Sequence, residues 1–73
     1  LGAGGVVRDP ALRRAAVLDI AESAYDAGLG TLGIAASPLP GPAGNVEYFL
    51  WLRRGAPEIN AQALDDAIAA GPE

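Results

Sequence analysis

The sequence predicts an α/β unit of order helix–strand–strand–helix. Three observations carry that reading. An amphipathic stretch opens at Asp9-Pro10 and ends at Gly28. Two apolar runs, 29–37 and 46–54, flank a segment dense in proline and glycine. A last short helix starts at Asn60 and stops at Gly71-Pro72.

Residues 1–8 are glycine-rich and read as loop. At Asp9-Pro10 a carboxylate can accept from free helical N–H groups, and proline suits the first helical position, where a missing N–H costs nothing. From 9 to 27 the spacing is helical. Val17, Leu18, Ile20, Ala21, Ala24 and Tyr25 share one wide face, opposite Asp19, Glu22, Ser23 and Asp26. Gly28 is placed for a left-handed turn after the helix. In the run 29–37, LGTLGIAAS, Leu32 and Ile34 suggest a strand, and Gly33 suggests that something packs closely on it. The segment 38–45, PLPGPAGN, holds three prolines and two glycines and forbids regular structure. Rigid loops of this kind often carry sites. The run 46–54, VEYFLWLRR, is the strongest strand. Val46, Tyr48, Leu50 and Leu52 alternate with Glu47, Phe49, Trp51 and Arg53, so both faces are expected to be covered. Asn60 then caps a helix over 60–70, with Leu64, Ala67 and Ile68 inward and Asp65-Asp66 solvated.

Composition narrows the function. The chain has 73 residues, 51% of them hydrophobic, and a net charge of −4. Of those apolar residues 16 are alanine, so the core is poor. Chains below about 70–80 residues seldom gain more than ~3–5 kcal/mol from one core. With no Cys and no His, disulfides, zinc sites and histidine catalysis are excluded. The acidic balance does not look like that of a nucleic-acid binder, since phosphate recognition wants positive charge at least locally. The five basic residues, all Arg, are scattered at Arg8, Arg13-Arg14 and Arg53-Arg54. No run is apolar and long enough to span a bilayer. The absence of any Met fits an excised or processed piece.

Few residues could carry chemistry. Glu47 is the first candidate, a carboxylate directly after the rigid loop with Asn45 before it. Solvation at a strand end is the plainer reading of its spacing. Ser37 ends the first strand but has no base to activate it. The Gly2-x-Gly4-Gly5 segment lacks the strand and the spacing of a dinucleotide fingerprint. Phe49 and Trp51 read as core, not as a base-stacking platform.

GGVVRDP near the start, followed by SPLPGPAGNVEYFLWL, resembles the C-terminal end of the TlyA family, the haemolysin-named, FtsJ-like ribosomal RNA methyltransferases. The match covers roughly residues 1–54. The resemblance implies the last part of a class I, Rossmann-like methyltransferase domain, with strand 29–37 parallel to the rest of a sheet and strand 46–54 returning antiparallel. It implies transfer of a methyl group from S-adenosylmethionine to a cytidine 2′-hydroxyl of rRNA, in the cytoplasm. Of the family's Lys-Asp-Lys-Glu tetrad only the glutamate maps here, onto Glu47. The lysines, the aspartate and the cofactor-binding glycines would precede this segment, and this chain has no Lys. Ser37 and Asn45 would flank the same edge. The 73 residues alone are then expected to be inactive and to bind no cofactor. A non-enzymatic alternative is an association module that forms a homo-oligomer through the bare edge of strand 46–54. Membrane lysis, which the haemolysin name suggests, is disfavoured by short helices and negative charge.

Overall fold

The computed structural model describes residues 9–38 and 46–71. The elements are α1 (Pro10–Asp26), β1 (Leu29–Ala36), β2 (Tyr48–Arg54) and α2 (Ala61–Ala70). The α-β-β-α order is the expected one, and β1 and β2 pair antiparallel. The expected parts at 1–8 and 39–45 lie outside the described residues.

Local chemistry explains each boundary. The Asp9 carboxylate accepts from the Ala11 N–H at 2.9 Å, and Pro10 opens α1. Gly28, at φ 96°, turns the chain into β1, a conformation that costs other residues a Cβ clash. The Asn60 side-chain oxygen accepts from the Ala63 N–H at 2.9 Å and caps α2. β2 starts at Tyr48, later than the sequence pattern suggests, because the β1 ladder ends at the Ala36–Tyr48 pair. Val46 and Glu47 therefore precede the strand.

Both helices pack on β1 and on each other. The core between them is thin. Among the described residues the buried apolar side chains are Val17, Ala21, Leu64 and Ala67, with Leu64 fully enclosed. The wide helical face expected on α1 narrows to the Val17–Ala21 stripe. Ile20 and Tyr25 stand exposed, because a two-stranded sheet is too narrow to cover them.

Among the described residues the sheet is covered on one face only, so they supply part of the cover that the pattern of 46–54 calls for. Tyr48 and Leu50 are half-buried toward the helices. Phe49 and Trp51 are each 54% exposed on the other face, their ring centroids 6.5 Å apart and tilted by 52°. Nothing in the described residues covers them.

The close approach that the sequence pattern assigns to Gly33 occurs at Gly30 instead. A Cβ at Gly33 would sit 3.8 Å from the Trp51 ring, an ordinary contact. A Cβ at Gly30 would overlap the backbone of Ala56 and the Pro57 carbonyl oxygen. There the chain leaving β2 crosses over β1, and the Thr31 N–H donates to the Pro57 carbonyl at 2.9 Å, not to β2. The crossing occupies the side of β1 turned away from β2, so β1 is closed to a further strand at this point. The outer edge of β2 has no pairing partner among the described residues.

Candidate functional site

Glu47 stands at the mouth of the β1–β2 pair, the end where the connecting segment joins β2. The last rung of the ladder beyond Ala36–Tyr48 is a single bond: the Ser37 N–H donates to the Glu47 carbonyl oxygen at 2.7 Å. This fixes the Glu47 main chain against the end of β1. The Glu47 side chain is exposed, so its carboxylate is free to meet a group brought from outside.

The two flanking candidates separate. Ser37 is only 7% exposed, and its contribution at this mouth is its main-chain N–H. Asn45 lies outside the described residues, as do Arg8 and Gly2-x-Gly4-Gly5. The structure thus joins Ser37 to Glu47 through the backbone, with the carboxylate as the presented group.

On the other side, Val46 and Tyr48 flank Glu47 and reach the end of α2. A Cβ placed on Gly71 would meet Val46 Cγ1 at 3.0 Å and the Tyr48 hydroxyl oxygen at 3.1 Å. The Tyr48 hydroxyl is buried with no hydrogen-bond partner. The sequence pattern marks Gly71 only as a helix stop. Nothing in one sequence signals that contact, which depends on how α2 lies across the sheet.

Three other charged side chains, Arg14, Asp65 and Asp66, serve the scaffold. Arg14 Nε donates to Asp65 Oδ1 at 2.6 Å and ties α1 to α2. Asp66 accepts from Gln62 within α2. Asp65-Asp66 is therefore not the purely solvated face that the helical spacing suggests. Among the described residues no group of three His, Cys, Asp or Glu side chains could hold a metal ion. No helix there is long and apolar enough to cross a membrane.

Comparison with known proteins agrees with the motif resemblance. The chain is 52% identical over 69 residues to the 16S/23S rRNA (cytidine-2′-O)-methyltransferase TlyA of Mycobacterium tuberculosis, in each of two strains. The alignment takes in 93% of this chain and 26% of the relative, so the chain spans about a quarter of the length of the proteins it matches. No protein-family model matches it.

Proposed function

We propose that this segment is the C-terminal α-β-β-α part of a longer rRNA 2′-O-methyltransferase, to which it contributes Glu47. One observation supports this above the others. The carboxylate that the motif GNVEYF singles out is exposed at the β1–β2 mouth on a main chain fixed by Ser37. The high identity to an rRNA (cytidine-2′-O)-methyltransferase supplies the reaction class. On this reading the longer protein acts on rRNA in the cytoplasm.

The chemistry assigned to Glu47 is electrostatic. A ribose hydroxyl must lose its proton to attack a methyl group, and a lysine contributed by the rest of the protein would assist. A carboxylate within a few ångströms of that lysine fixes its direction and stabilises the ammonium that forms as the lysine takes up the proton. Glu47 thus orients a base supplied from elsewhere and does not itself abstract the proton.

The family resemblance assigns the seat of the methyl donor to the rest of the protein. S-adenosylmethionine supplies a cationic sulfonium methyl when bound. The groove of about 520 Å³ between α1 and α2 is lined by Arg13 and Arg14 with Asp65, Ile68 and Gly71. Arg14 is paired there with Asp65, and Glu47 does not line the groove. The donor belongs to the part of the protein that precedes this segment, so these 73 residues alone transfer no methyl group.

The test is a chimera in which residues 1–71 replace the matching segment of the Mycobacterium tuberculosis relative. It should methylate rRNA, whereas the isolated chain should neither methylate rRNA nor give a specific heat with S-adenosylmethionine. A folded but inactive chimera, or tight donor binding by the chain alone, would overturn the reading.

A second reading is favoured by the unpaired outer edge of β2 and the exposed Phe49–Trp51 face beside it. Released from a larger sheet, the chain would complete its core by pairing with a copy of itself through β2. Sedimentation at micromolar concentration should then show a dimer or larger species. A stable folded monomer counts against it.

A further inference from the structure

Resting on the reading of Glu47 above, we infer that Gly71 is a positioning residue for that carboxylate, acting through Val46 and Tyr48. The end of α2 is set by its packing on the sheet. Leu64 and Ala67 are buried and anchor the helix on the sheet. Its last turn ends where the Gly71 N–H donates to the Ile68 carbonyl at 3.4 Å. Gly71 itself has φ −65° and ψ 147°, extended backbone that any residue adopts. What only glycine provides at this place is room. An added methyl would press on Val46 Cγ1 at 3.0 Å and on the Tyr48 hydroxyl at 3.1 Å.

Those two side chains belong to the neighbours of Glu47 on either side. In extended chain, alternate residues face opposite ways, so Val46 and Tyr48 point together and Glu47 points away from them. Pressure on the pair moves the main chain that carries the carboxylate. Tyr48 is held there by packing: its buried hydroxyl finds no partner, so no hydrogen bond fixes it if α2 shifts. From the opposite side the Ser37 N–H holds the Glu47 carbonyl. The Glu47 main chain lies between a hydrogen bond from β1 and a close contact with the end of α2.

The experiment is a double-mutant cycle in the chimera. Gly71→Ala should lower kcat for methyl transfer by roughly 3–10-fold with KM for rRNA unchanged, since a displacement near 1 Å can cost ~100-fold and a few tenths cost less. In the Glu47→Gln background the same substitution should change kcat by less than about 2-fold. Equal losses in both backgrounds would make Gly71 merely structural, and no loss in the Glu47 chain would remove it altogether. If Glu47→Gln alone leaves the rate unchanged, the catalytic reading of Glu47 falls first, and the positioning claim with it. Should Gly71→Ala lower the melting temperature sharply, Val46→Ala carries the same test. It removes Cγ1 from the contact without adding bulk, and its loss should again be confined to the chain that keeps Glu47.

Discussion

Replacing Gly30 by alanine should destabilise the fold far more than any other glycine-to-alanine change within β1. Alanine normally gains slightly over glycine in a strand by restricting the unfolded chain, about 0.4–1 kcal/mol where the native backbone accepts it. At Gly30 that gain is overwhelmed. The new Cβ would occupy the place of the Ala56 and Pro57 backbone, so the crossing segment must lift off β1. Lifting it breaks the 2.9 Å bond from the Thr31 N–H to the Pro57 carbonyl. Loss of that bond costs about 0.5–1.5 kcal/mol, and overpacking adds about 1–3 kcal/mol. Set against the gain, these costs leave about 1–4 kcal/mol, a large share of the stability open to so small a core. In a domain of this size each kcal/mol moves the melting temperature by about 4–8 °C. Thermal unfolding followed by circular dichroism should therefore show a fall of at least about 4 °C, while Gly33→Ala, facing the Trp51 ring at 3.8 Å, melts near the parent. Equal melting of the Gly30→Ala chain and the parent would refute the close crossing.

Further consequences concern the core and the caps. Leu64→Ala empties the one fully enclosed large side chain and should cost about 2–5 kcal/mol, leaving α2 unprotected in amide hydrogen exchange. Asn60→Ala removes the acceptor for the Ala63 N–H and should cost about 1 kcal/mol, read as a shift in the urea midpoint. Arg14→Ala breaks the pair with Asp65, but both side chains are substantially exposed. Its cost should stay below about 1 kcal/mol and vanish in high salt.

The fold was legible where local chemistry decides it. Asp9-Pro10, Gly28 and Asn60 each act within a few residues, and each bounds its helix in the structure. The alternation along 48–51 likewise places Tyr48 and Leu50 toward the helices and Phe49 and Trp51 away from them. What escaped the sequence is tertiary. Counting apolar residues on both faces of 46–54 implies cover on both, yet only the helix layer exists among the described residues. Ile20 and Tyr25 share the wide apolar face of α1 yet stand exposed, since periodicity gives a face but not the width of what it meets. The crossing at Gly30 and the contact at Gly71 depend on segments far apart in sequence.

The candidate site divides in the same way. GNVEYF singles out Glu47, and the structure leaves its side chain exposed. Its anchorage by Ser37 and its contact with the end of α2 through Val46 and Tyr48 follow only from the packed structure.

The account turns on Glu47, and the most direct measurement is single-turnover methyl transfer to rRNA by the chimera with and without Glu47→Gln. Losing the carboxylate that orients the base should cost about 100-fold, the effect of a misplacement near 1 Å. The rate should fall by that order with the melting temperature unchanged, while Glu58→Gln, at an exposed carboxylate next to Pro57 near the opposite end of β1, leaves it intact. An undiminished rate in a folded Glu47→Gln chimera would contradict the account.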